Sequence, residues 1–178
     1  MYKIAVLSDS HKKVDLTKDA IDMLKKKGAQ YIVHAGDLEI KENLDLLKDS
    51  GLLYVSVFGN NDYNLLKYQN EYKIFKEPYF FSIQQSKYKL MHIPNHLTPD
   101  SDIIIYGHTH IFKTEYINNT LFLNPGELCA REKDLTECVL LEVYDDKYIV
   151  EYNYKKPDET KWETKTYKYE REIETNDR

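Results

Sequence analysis

KIAVLSDSHKKVDLTKDAIDMLKKKGAQYIVHAGD, residues 3–37, joins two short apolar runs through a segment whose apolar residues recur at helical spacing. Lys3 to Ser8 and Gln30 to Ala35 read as strands. Between them Leu16, Ala20, Met23 and Leu24 fall at i, i+4, i+7 and i+8, and Gly28 stands where a helix would end. A helical crossover makes the two strands parallel and the connection right-handed. The pattern recurs once: Ile40, Leu44 and Leu47 mark a second helix closed by Gly51, and Tyr54 to Phe58 a third strand.

Beyond Asp62 the alternation stops. Asp62 to Glu77 is ambiguous between helix and loop, and strands then dominate. Tyr79 to Ile83 and Tyr88 to His92 flank a polar turn, Phe112 to Ile117 and Leu121 to Leu123 flank Asn118-Asn119, and Val139 to Tyr144 and Tyr148 to Tyr152 flank Asp145-Asp146. Each pair reads as a hairpin, and Ile103 to Tyr106 as a buried strand. A parallel half followed by an antiparallel half predicts two packed sheets. The body is expected over residues 1–154, with residues 155–178 a charged C-terminal extension or, over Trp162 to Ile173, an edge strand.

The 178 residues suffice for one domain with its own core. Lys plus Arg number 25 against 30 Asp plus Glu, a net charge of −5 that disfavours duplex nucleic acid and anionic membrane as partners. The apolar run Ile4 to Leu7 is too short for a signal-peptide core and no stretch is long enough to span a bilayer. Cys129 and Cys138 lie nine positions apart without metal-ligand spacing and read as ordinary buried thiols of a reducing cytoplasm.

The chemistry-bearing residues gather just past the strands. Asp9 and His11 follow the first, Asp37 the second, Asn60 the third, His92 the run Tyr88 to Met91, and His108 and His110 the run Ile103 to Tyr106. In α/β sheets that rim is where ligands bind. Each piece alone is a turn or cap motif. Together, two carboxylates, one carboxamide and four imidazoles form an oxygen and nitrogen set suited to Mn, Fe, Zn, Ni or Co, too large for one tetrahedral ion and right for two. His108 and His110, read as extended backbone, would point to one face.

Asp9-x-His11, Gly36-Asp37, Gly59-Asn60-x-Asp62, His92 and Gly107-His108-x-His110 resemble the calcineurin-like metallophosphoesterases. The small size, Asn60 followed by Asp62 and Asn124-Pro125-Gly126 are similar to the YfcE-type phosphodiesterases within that superfamily. The resemblance implies an α/β fold, a four-layer α-β-β-α sandwich of two mixed β-sheets flanked by helices. It implies two divalent transition metal ions, Mn first among them: one held by Asp9, His11, Asp37 and His110, the other by Asp37, Asn60, His92 and His108, with Asp37 bridging. It further implies hydrolysis of a small phosphodiester or nucleotide-like substrate by a hydroxide between the metals, with Asp37, Asn60 and His92 central to catalysis.

Three departures bear on that carry-over. Asn61 stands where relatives have a histidine or cysteine, and cannot act as a general acid. His92 is followed by Ile93-Pro94-Asn95-His96, so His96 is the candidate, with Asn61, for substrate contact. Glu127 replaces a common serine and is expected to face away from a phosphate. Asp62 is read either as orienting a histidine or as a helix cap, and His34 as a core or supporting histidine. The competing readings are a non-catalytic protein-interaction scaffold, as in the retromer subunit that looks like this family, and a phosphomonoesterase or nucleotidase. Tyr-rich strands and the short loop after His92 are compatible with a homodimer.

Overall fold

A computed structural model of the protein describes residues 1–171. The opening unit folds as read: strand β1 (Tyr2–Leu7), helix α1 (Val14–Lys26), β2 (Tyr31–His34), helix α2 (Lys41–Asp49) and β3 (Leu53–Val57), with β1, β2 and β3 adjacent and parallel. The ambiguous stretch becomes a short 3-10 helix over Tyr63–Tyr68 and a two-residue strand β4 (Ile74–Phe75) beside β3. Strands β5 (Tyr79–Ile83), β6 (Ser86–Leu90), β7 (Ile103–Ile105), β8 (Lys113–Ile117) and β9 (Thr120–Asn124) form a second sheet in the order β5-β6-β7-β9-β8. Strands β10 (Thr136–Val143), β11 (Lys147–Lys155) and β12 (Glu163–Glu170) extend the first sheet, which runs β12-β11-β10-β1-β2-β3-β4.

The division between parallel and antiparallel halves is therefore not a division between sheets. β10 pairs antiparallel with β1, so the last hairpin joins the first sheet, while β6, β7 and β9 are mutually parallel at the centre of the second. Both sheets are mixed. Strand β12 caps the first sheet as its edge; Ile173, within the stretch read as an edge strand, lies outside the described residues.

Alternation along β1 shows how the layers assemble. Ile4 and Val6 face the second sheet, packing with Tyr88, Leu90, Ile103, Leu121 and Val139. Ala5 and Leu7 face the other way, against Leu24, Leu44 and Leu47 of the two helices. Among the described residues neither helix covers the second sheet's outer face, where an outer layer of helices was expected. Met91, Ile104, Tyr106 and Phe122 form a small apolar cluster there, and buried Lys89 reaches Thr98 and both Asp100 carboxylate oxygens on the loop after His92. The fifteen residues between His92 and His108 leave room for that loop and no helix.

The carboxyl ends of β1, β2, β3, β6, β7 and β9 meet at one rim. His92 Nδ1 lies 2.8 Å from the Ala35 carbonyl and the His108 N–H donates to Asp9 Oδ2 at 3.1 Å, fastening one sheet to the other. Close approach requires glycine at this seam: a Cβ on Gly107 would land on Ser8 Oγ, the Ala35 carbonyl and Asp9 Oδ2.

Candidate metal centre

Three loops present their donors from left-handed backbone. Asp9 (φ 53°) and His11 (46°) follow β1, Asp37 (58°) and Glu39 (59°) follow β2, and His108 (67°) and His110 (58°) follow β7. Non-glycine residues reach this region rarely and at a cost of order 1 kcal/mol each, and it concentrates at functional sites. The conformation also corrects the extended reading of the His-x-His pair. His108 is exposed and stacks edge-on to His92 at 5.1 Å, whereas His110 is buried with its ring 5.4 Å from that of His11.

The rim thus carries two groups of donors. Asp9, Asp37 and His92 each offer an atom within 4.8 Å of the others, all buried. His92 Nε2 lies 3.0 Å from Asn60 Oδ1 and 3.4 Å from Asp37 Oδ2, its Nδ1 held by the Ala35 carbonyl. The second group is His11, His110 and Cys129. His11 Nδ1 is paired with Glu39 Oε1 at 2.8 Å, and His110 Nε2 stands 3.2 Å from Asp9 Oδ1. The seven residues read as ligands all reach this rim. Asn61 joins them, giving its backbone N–H and its amide to the two Asp37 oxygens at 2.9 and 2.7 Å, whereas His96 lies exposed on the loop, away from the cavity lining.

Two atoms here test whether cations fit. Asp9 Oδ1 and His11 Nε2 are buried and have no hydrogen-bond partner. Orphaned acceptors cost about 1–3 kcal/mol each unless something takes them up, and a divalent cation is the partner that suits a carboxylate oxygen and an imidazole nitrogen together. Without metal the histidines neutralise the acids. Burial alone would lower the His110 pKa, but Asp9 and Glu127 on either side push it up to about 11. Burial likewise disfavours ionised Asp37, yet His92 and Asn61 hold it well below the usual carboxylate range.

Several supporting residues have surroundings that the sequence reading did not foresee. Glu127 faces away from the cavity, but not into solvent: it is fully buried behind His110, 2.5 Å from Nδ1, and accepts the N–H groups of Glu132 and Lys133. It meets the back of an imidazole rather than the open cavity. Asp62 stands at the N-cap position of the 3-10 helix, but its side chain makes no cap hydrogen bond and touches no histidine. Its carboxylate accepts the backbone N–H groups of Asp37, Glu39 and Gly59 at 2.9, 2.6 and 2.7 Å, tying the β2 loop to the β3 loop. Glu39 and Arg131 escaped sequence reasoning, and Cys129 was read only as a buried thiol, because each lies on a loop whose path is set by distant strands. Arg131 Nη2 lies 3.3 Å from His110 Nε2, and with Lys133 it places cationic groups on the wall of a cavity of about 580 Å³ that Asp37, Asn60, Asn61 and His108 also line.

Residues 2–146 match the family model of the calcineurin-like phosphoesterase superfamily domain. The chain belongs to that superfamily. It is 25% identical to the phosphodiesterase MJ0936 of Methanocaldococcus jannaschii, over 72% of this chain and 85% of that protein. Among solved structures it is similar to Vps29 of Chaetomium thermophilum, with a TM-score of 0.77 at 12% identity over 97% of this chain and 100% of that one. It is similar too to the phosphoesterase Yfce of E. coli, with a TM-score of 0.66 at 19% identity over 83% and 91%. These likenesses below 25% identity concern the fold, which is the superfamily's α/β arrangement of two mixed sheets. Superfamily membership brings metal dependence, and among the described residues no helix is long and apolar enough to cross a membrane.

Proposed function

We propose that the protein is a cytoplasmic, dinuclear metal-dependent phosphodiesterase acting on a small phosphodiester, with Mn or a similar divalent transition ion. The observation that carries this reading is the pair of buried, unpartnered atoms Asp9 Oδ1 and His11 Nε2 inside a cluster of donors at the cavity floor. Asp9, His11, Asp37 and His110 would hold one ion, and Asp37, Asn60, His92 and His108 the other. When bound, such a pair supplies Lewis acidity and a water ionised near neutral pH.

The chain's own residues set the conditions for that chemistry. Asp37 lies between the groups, with His92 Nε2 at 3.4 Å and His11 Nε2 at 3.9 Å from the same oxygen, the arrangement a bridging carboxylate needs. His92 donates Nδ1–H to the Ala35 carbonyl, which fixes the tautomer whose Nε2 lone pair faces the site. Glu127 does the same for His110. Asn60 brings a neutral oxygen, leaving its ion more electrophilic than a carboxylate would. Arg131 stands ready on the wall to neutralise an anionic phosphoryl group. Asn61 is committed to Asp37 and carries no proton to give, so activity should favour diesters with good leaving groups.

A scaffold role is the second reading, favoured by the Vps29 likeness and by the absence of a side-chain acid at position 61. Metal analysis and turnover separate the two. The wild type should bind two transition metal ions per chain and, with Mn, hydrolyse an activated diester such as bis(p-nitrophenyl) phosphate. Asp37→Asn should lose both paired binding and turnover. A metal-free, inactive wild type, or an active Asp37→Asn variant, would sink the assignment.

A further inference from the structure

The two cysteines occupy opposite surroundings. Cys138 is fully buried in the apolar layer between the first sheet and the helices, beside Leu140, Leu24 and Ala20. That is the ordinary place for a small buried thiol. Cys129 is 3% exposed, yet it belongs to none of the apolar clusters. Its neighbours are the Glu127 carboxylate, with Oε2 3.2 Å from Sγ, and the imidazoles of His11 and His110, each with a donor atom within 4.8 Å of the sulfur.

Backbone pairing keeps it there. The N–H groups of Leu128 and Cys129 donate to the carbonyls of Ser8 and Asp9, both at 3.1 Å, so the segment after β9 runs along the end of β1. Ala130, next in the chain, is held at φ 52°, a second sign that the loop is bent to fit rather than relaxed. The independent observation that points to a ligand is His11. Its Nδ1 is taken by Glu39, and its Nε2 is buried without a partner in the same cluster as the sulfur.

We infer that the Cys129 thiolate is a ligand of the ion at the His11 and His110 end of the centre, giving that position a sulfur donor and a preference for Zn, Fe or Co over Mn. The inference rests on the metal-centre reading above and narrows it at one of the two positions. Bonds of about 2.0–2.1 Å to nitrogen and 2.3 Å to sulfur put tetrahedral donors roughly 3.3–3.6 Å apart, inside the envelope these three residues define. A thiolate in a nitrogen and oxygen set draws the softer ions. On binding, the S–H bond breaks, its proton passes by way of Glu127 to solvent, and a sulfur to metal bond forms without electron transfer.

The test loads the metal-free full chain with Co2+ and reads its absorption. The wild type and Cys138→Ser should both show the near-ultraviolet thiolate-to-cobalt band. Cys129→Ser should lose that band while keeping the visible ligand-field bands and two ions per chain, and its preference for Zn over Mn should fall at least tenfold. Visible bands without the charge-transfer band in the wild type, or a band that survives Cys129→Ser, overturns the sulfur ligand and leaves the metal centre intact. Failure to bind Co2+ at all removes the centre and the inference with it. X-ray absorption of the Zn-loaded wild type needs no variant: a shell at about 2.3 Å supports the thiolate, and nitrogen and oxygen scatterers alone at about 2.0–2.1 Å refute it.

Discussion

Acidification of the metal-free protein should expose the cost of charging His34. This imidazole is completely buried under the rim: it lies 2.6 Å from Ser10 Oγ on its Nε2 side and accepts the Gly36 N–H on Nδ1 at 3.2 Å. Only the neutral tautomer fits, since a proton on Nδ1 would face another donor. Burial, the largest effect, pushes its pKa down to about 3, with Asp9 and Asp37 pulling weakly the other way. Against an unfolded value of 6.5, the unfolded chain takes up the proton first as pH falls. The stability tied to neutral His34 is therefore fully present above pH 6.5 and drains away down to about pH 3. At about 1.4 kcal/mol per pH unit, pH 4.5 should remove about 2–3 kcal/mol through this residue. The assay is urea unfolding of metal-free wild type and His34→Asn at pH 7.0 and 4.5. Asparagine keeps an acceptor for Gly36 but cannot titrate, so the gap between the two proteins should narrow by about 2–3 kcal/mol at the lower pH. Taking the difference cancels the other titrating groups. Parallel pH profiles, with the gap constant to about 0.5 kcal/mol, would refute the reasoning.

Two further outcomes follow from the geometry. Glu127→Gln keeps the side chain's shape but replaces the carboxylate behind His110, so metal affinity should drop by roughly 10–100-fold in a chelator competition, and the melting temperature of the metal-free chain should fall as well because the buried pair with His110 is lost; unchanged affinity would mean that Glu127 is only structural. Gly107→Ala forces a methyl group against Ser8 Oγ, the Ala35 carbonyl and Asp9 Oδ2, so thermal unfolding should show a loss of at least about 2 kcal/mol, and a wild-type melting temperature would show that the seam between the sheets is looser than described.

The legibility of this chain divides by the range of the interactions involved. Helices α1 and α2 and the hairpins were readable because their signals, apolar period and turn dipeptides, act within a dozen residues. The sheet to which each hairpin belongs was not, since Tyr2 pairs with Val143 across nearly the whole chain and no local pattern encodes that. Asp9, Asp37 and His110 could be picked out because the carboxyl end of a strand is a place defined by sequence. Asp62 shows the limit: locally it reads as a cap, but the N–H groups it accepts at Asp37 and Glu39 lie 25 and 23 positions away. The partners of Cys129 and Glu127 are illegible for the same reason, as the loop carrying them is placed by Ser8 and Asp9 at the other end of the chain.

That long-range closure bears on which function the rim serves. Six left-handed non-glycine residues in three loops, at a cost of order 1 kcal/mol each, would be relieved by small local rearrangements if nothing needed them. They are instead over-determined, by three N–H bonds onto Asp62, by the Ala35 carbonyl on His92 and by Glu127 behind His110. The result buries two atoms without a hydrogen-bond partner, Asp9 Oδ1 and His11 Nε2, among the donors of the rim, with His110 Nε2 3.2 Å from the first and Asp37 Oδ2 3.9 Å from the second. A surface that serves only to dock a partner gains nothing from unpaired donors sunk beneath it, whereas a cation site gains its affinity from them. The strain and the orphaned atoms are two costs with one relief, and a divalent ion supplies it.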